Sequence, residues 1–140
     1  DIAIGTPDSR FCLSEVKLGL LPATIGPYVM RTIGQRQSRR YFITADLIDA
    51  ETAQNLEILH HISYQPRELV NTIIAQLNQH GPNALQASKA LCLQCHNHPI
   101  DDTLIEYTSH AIAAARGSQE GQEGLAALFD KRPANWRKDV

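Results

Sequence analysis

Three groups of residues in this sequence carry side chains able to do chemistry. The first is Glu15, which follows the apolar run Phe11-Cys12-Leu13 and precedes Gly19-Leu20-Leu21-Pro22. A carboxyl set among apolar residues can exchange a proton with a bound substrate, whereas a glutamate on an apolar strand is ordinarily a residue of its wet face. The second group is Cys92-Leu93-Gln94-Cys95-His96, with His98 close behind. By spacing alone it satisfies the c-type haem attachment pattern and has the look of a metal site. Against haem stand the single methionine, Met30, as an axial ligand and the setting of the motif in a helix that runs from Pro82. Zinc would need a fourth ligand, for which His60, His61 and His110 qualify by type only. Ordinary helix cysteines and no metal are therefore expected. The third group is basic: Arg36, Arg39 and Arg40, and then Lys131-Arg132. The arginine stripe reads as solvated helix charge, and the later pair suits the negative end of a helix; either could instead meet phosphate. Ser14 has no Gly-x-Ser-x-Gly elbow around it, and no phosphate-cradling glycine loop occurs.

These residues need elements to hold them. Ile2–Ile4 and Phe11–Leu13 read as two short strands on either side of a turn at Thr6-Pro7-Asp8-Ser9. Tyr28, Val29, Ile33, Tyr41 and Phe42 recur at helical spacing, with Gly34 dividing two short helices. Asp49 is placed to cap a helix over residues 50–56, and residues 58–62 form a brief strand before Pro66 opens the next helix. Leu69, Val70, Ile73, Ile74 and Leu77 line one face of that helix, which His80-Gly81-Pro82 ends while starting another. Pro99 with Asp101, and Gly117 with Ser118, punctuate two more, and Trp136-Arg137-Lys138 makes a basic, aromatic end. A small β edge followed by six or seven helices is the expected balance, as in a parallel-sheet enzyme whose main sheet lies elsewhere.

Composition narrows the function classes. The chain has 140 residues, 43% of them hydrophobic, enough to bury roughly two-thirds of its unfolded surface. A net charge of -2 supplies no basic field, so nucleic acid and anionic membranes are not expected partners. No stretch approaches about 18 consecutive apolar residues, and no basic-then-apolar leader is visible, so a cytoplasmic protein is expected. Three cysteines, an odd number, favour reduced thiols over a disulfide framework. The apolar alternation is already running at Asp1-Ile2-Ala3-Ile4-Gly5, which reads as an entry in mid-strand and hence as part of a longer protein.

The run Phe11-Cys12-Leu13-Ser14-Glu15-Val16-Lys17-Leu18-Gly19-Leu20-Leu21-Pro22 resembles the crotonase superfamily of enoyl-CoA hydratases and isomerases, which places an apolar strand, a glutamate and a Gly-x-x-Pro turn in this order. The resemblance continues at Ile43-Thr44-Ala45 and Asp49-Ala50-Glu51-Thr52-Ala53, at Gly81-Pro82-Asn83-Ala84 with Lys89, and through the terminal helix Glu123 to Arg132. In wording, Phe11 to Leu20 with Pro27-Tyr28-Val29 and Arg39-Arg40-Tyr41-Phe42 is most like bacterial enzymes of the methylglutaconyl-CoA hydratase type. The chain departs from the pattern at Ala23-Thr24, where the family often has Gly-Ala-Gly, at Glu57 in place of a glycine, and at Leu128 in place of a Phe.

That resemblance implies an α/β crotonase-like fold, of which this chain is the C-terminal part: mainly α, with a short β remnant at its N-terminus. Residues 1–22 would end the sheet core, 23–64 would form the active-site helices and return strand, and 65–140 a helical oligomerisation region. It implies addition of water across the α,β double bond of an acyl-CoA, in leucine, branched-chain or fatty acid degradation. Glu15 would be the catalytic proton donor, Leu13, Pro22 and Ala23 would touch the acyl group, and Lys131 would reach coenzyme A. No cofactor is implied beyond the acyl-CoA substrate, and self-association into trimers or hexamers is. The family's other glutamate and its oxyanion-hole N–H pair would precede Asp1, so the isolated chain is expected to be inactive. An isomerase of the same superfamily and a noncatalytic helical self-association module are the alternatives.

Overall fold

The computed structural model describes residues 1–137, so Lys138 lies outside the described residues. The chain divides into two units, Asp1–Val70 and Asn71–Val140. In the first, four two-residue strands form two separate ladders. Strand β1 (Ile4–Gly5) pairs in parallel with β4 (His61–Ile62), in the register Ile4↔His61. Strand β2 (Arg10–Phe11) pairs antiparallel with β3 (Ile48–Asp49), in the register Phe11↔Ile48. The two strands expected near the N-terminus exist, shifted by a residue or two, but they do not pair with each other. The turn between them is closed by Ser9 N–H to the Thr6 carbonyl, 2.9 Å. Its flanks then part, because each finds a distant partner, β1 at His61–Ile62 and β2 at Ile48–Asp49.

Helix α1 (Gly26–Thr44) is two helices across a kink, as the sequence predicts, and Gly34 is the break at φ 74°, ψ 159°. That region is essentially closed to any residue with a Cβ. Beyond it, Ser38 is buried and donates its hydroxyl to the Gly34 carbonyl at 2.9 Å, which satisfies two polar groups at the kink. Helix α2 (Ala50–Asn55) starts at Asp49, whose Oδ1 accepts the Thr52 N–H at 2.8 Å. This bond holds the Asp49 carboxyl below its usual range. Around these elements Ile33, Tyr41, Ile48, Ala53 and Leu59 form the buried core of the unit, with Phe11 and Leu13 packed against it.

Helix α3 (Pro66–Leu77) runs on into the second unit, which holds α4 (Pro82–Cys95), α5 (Asp102–Gly117) and α6 (Gln119–Phe129). Pro66 and Pro82 open their helices at the first turn, where a missing N–H costs nothing. Asp101 and Ser118 cap α5 and α6 by accepting the N–H groups of Leu104 and Gly121, each at 3.0 Å. No helix among the described residues is long and apolar enough to cross a membrane.

Candidate active site

The segment that carries Glu15 is pinned at both ends. Upstream, Phe11 lies opposite Ile48 in the β2–β3 ladder, and the Cys12 thiol donates to the Ala45 carbonyl at 3.3 Å. Downstream, Pro22 is buried and its carbonyl accepts the Gly26 N–H at 2.7 Å, leading into α1. Between them, Glu15–Leu18 form one turn of 3-10 helix, which packs against α1. The glutamate therefore leads a tight turn beyond the strand. Two residues after the strand would have kept Glu15 in extended backbone, but Ser14, at φ -90° and ψ 0°, has already turned the chain.

Within that turn the Lys17 N–H donates to the Ser14 carbonyl at 3.0 Å. The Glu15 carbonyl accepts from both Gly19 and Leu20, the latter at 3.0 Å, and Gly19 closes the turn at φ 71°, ψ 19°. Glu15 is half-buried, and its Oε2 is fully covered without a hydrogen-bond partner among the described residues. Covered carboxyl oxygens are nearly always paired, and those that are not need an explanation. The turn and the segment after it expose several apolar side chains beside the polar Ser14, Lys17 and Thr24: Leu18, Leu20 and Leu21 are 76%, 60% and 73% exposed, and Ile25, Tyr28 and Met30 are exposed as well. This arrangement offers a proton-exchanging group beside a surface suited to an acyl chain.

Of the other residues singled out in the sequence, Leu13 is half-buried, Pro22 buried and Ala23 exposed, all on the same short stretch as Glu15. Lys131 belongs to the second unit. It is exposed just past α6, in the left-handed conformation at φ 53°, with its N–H on the Leu128 carbonyl at 3.3 Å. The arginine stripe on α1 is solvated: Arg40 stacks over Tyr41 at 5.0 Å and pairs with Asp46 at 3.7 Å. Cys92 is exposed and Cys95 half-buried at the end of α4, where His96 has left the helix at ψ 123°. Among the described residues no three His, Cys, Asp or Glu side chains are grouped so as to hold a metal ion.

Sequence reasoning missed two carboxylates that organise the second unit. Glu120 reaches back to the start of α4, accepting the N–H of Asn83 at 3.0 Å and of Ala84 at 2.8 Å. Glu123 takes both ends of the Arg132 guanidinium, at 2.7 and 2.9 Å, and the Asn135 N–H at 2.9 Å. The Arg132 bonds, then the Asn135 bond, hold the Glu123 carboxyl down to about 2, and Glu123 in turn holds Arg132 charged. One clue to Glu120 was available: the first turn of α4 has no acidic residue of its own, so its N–H groups need an acceptor from elsewhere.

The fold is shared with known proteins. The model of the enoyl-CoA hydratase/isomerase family matches residues 1–139. The chain belongs to the enoyl-CoA hydratase/isomerase family. Its fold is crotonase-like: it superposes on an enoyl-CoA hydratase from Shewanella pealeana with a TM-score of 0.92 at 44% identity, over 97% of this chain and 51% of that one. An enoyl-CoA hydratase/isomerase from Marinobacter aquaeolei gives 0.91 at 31% identity, over 99% and 53%. By sequence, the enoyl-CoA hydratase ACTT6 of Alternaria alternata is 31% identical over 130 residues, 90% of this chain and 43% of that protein. The chain thus spans about half the length of the relatives it matches.

Proposed function

We propose that Glu15 is an acid–base residue of an enoyl-CoA hydratase. The observation that carries this reading is the covered Oε2, without a hydrogen-bond partner among the described residues, at the head of a turn followed by exposed apolar side chains; membership of the family supports it. Hydroxide from water adds at the β-carbon of the enoyl thioester, and Glu15 delivers a proton to the α-carbon. The water's other proton passes to a second carboxylate and returns to Glu15 between turnovers, so that one water is consumed. On this reading the second carboxylate and the N–H donors to the thioester oxygen lie outside residues 1–140. The chain by itself is then inactive, and assays belong on the full-length protein.

Leu13, Pro22 and Ala23 flank Glu15 in sequence and are proposed to touch the acyl group, which is branched in the methylglutaconyl-CoA manner. Lys131, an exposed cation, is proposed to meet a phosphate of coenzyme A, in a protein that self-associates as a trimer or hexamer. In the full-length protein, Glu15→Gln should lower kcat for hydration by roughly 10²–10⁴-fold with a small change in KM. Full activity in that variant would sink the reading. Isomerisation, in which one carboxyl moves a proton between carbons, is separated by running the reaction in ¹⁸O-water. Hydration places the label at the β-carbon of a 3-hydroxyacyl product, and isomerisation places none.

A further inference from the structure

We propose that Gly19 is a positioning residue whose left-handed backbone aims the Glu15 carboxyl. The inference rests on the acid–base reading of Glu15 given above. A carboxylate is usually aimed by the groups bonded to it, but no hydrogen bond reaches Glu15 Oε2 among the described residues. Its direction then comes from the packing that covers it and from the backbone that carries it. That backbone is a single 3-10 turn, too short to hold itself, closed where the Glu15 carbonyl accepts the N–H groups of Gly19 and Leu20. The Leu20 bond, 3.0 Å long, requires the chain to turn back at residue 19, and it does so at φ 71°, ψ 19°. A Cβ built on Gly19 would meet nothing within 4 Å, so the position selects glycine for torsion and not for space. This separates the two usual reasons for a glycine, and it makes the role testable by substitutions graded in their tolerance of the left-handed region. Asn enters that region readily, Ala with more strain, and a β-branched residue hardly at all.

The experiment uses the full-length protein carrying Gly19→Asn, Gly19→Ala or Gly19→Val, with kcat, KM and melting temperature measured for each. The expected order of kcat is Asn above Ala above Val, with Gly19→Val down on the order of 100-fold, the size of loss that follows a displacement of about 1 Å in a catalytic group. KM should stay within about threefold, because substrate binding does not depend on the aim of one carboxyl. In a Glu15→Gln background, Gly19→Val should lower the residual rate no further, since the group it misdirects is gone. If Gly19→Val does not fold, Gly19→Ala against Gly19→Asn decides, with Asn the faster. Equal kcat across the series, or an equal loss on top of Glu15→Gln, overturns the role of Gly19. A fully active Glu15→Gln protein would overturn the acid–base reading itself, and this inference with it. A dead Glu15→Gln protein beside a full-rate Gly19→Val protein would overturn only the inference.

Discussion

The two units of the chain are held by different forces. In Asp1–Val70, five buried side chains around Ile48 and Ala53 make a small apolar core, and the two-residue strands serve mainly to register loops against it. In the second unit α4 and α5 contain no fully buried residue, and Ile105, Ile112, Leu128 and Phe129 are exposed. What fixes its helix ends is polar: Glu120 on the start of α4, and Glu123 on Arg132 and Asn135. Glu15 stands in the unit with the core, on a turn anchored between Phe11 and buried Pro22. The difference teaches that the site depends on packing and torsion, while the Glu123–Arg132 pair at the end of the C-terminal helices should respond to pH.

The comparison can be broken in several places. The largest effect on stability is expected from Ile48→Ala, which removes a side chain only 1% exposed and should cost about 2–4 kcal/mol in a chemical denaturation series. Gly34→Ala should cost about 1–3 kcal/mol by the same measurement, since alanine must either strain or abandon the kink of α1. Lowering the pH should loosen the second unit by a smaller amount, because the Glu123–Arg132 pair is partly exposed to screening solvent. The Glu123 carboxyl is depressed from its ordinary 4.5 to about 2 in the folded chain. Its contribution is therefore complete above about 4.5 and is lost as pH falls towards 2. Melting temperatures across that window should fall for the natural sequence and fall less for Glu123→Gln; parallel curves would remove the pair from the account. The smallest change is a gain. Glu57→Gly should stabilise by about 0.5–1 kcal/mol, because Glu57 sits at φ 62° and glycine relieves that strain at some entropic expense.

Glu57 also marks how far the sequence could be read. A glycine is expected at this position from the sequence resemblance, and the positive φ of Glu57 is a conformation that glycine adopts without strain. Helix starts were legible because their signals are local: Pro66, Pro82, Asp49 and Asp101 each act within one turn of themselves. Gly34 announced the break in α1 for the same reason. The strands were legible only as apolar runs. Their partners, Ile4 with His61 and Phe11 with Ile48, are fixed by long-range packing, which a two-residue segment cannot specify. Glu15 stood out by its neighbours, but neither its place at the head of a 3-10 turn nor its uncompensated oxygen follows from spacing. Glu120 escaped notice because its bonds run to backbone groups 36 and 37 residues away.

The most direct test of the central claim follows one proton. Full-length protein is incubated in deuterium oxide with a 3-hydroxyacyl-CoA, the product of hydration, and deuterium at the α-carbon is measured by mass spectrometry. The natural sequence should exchange that position and Glu15→Gln should not, with both proteins equally folded. Exchange at an undiminished rate in Glu15→Gln would contradict the account, because the proton would then be carried by another group.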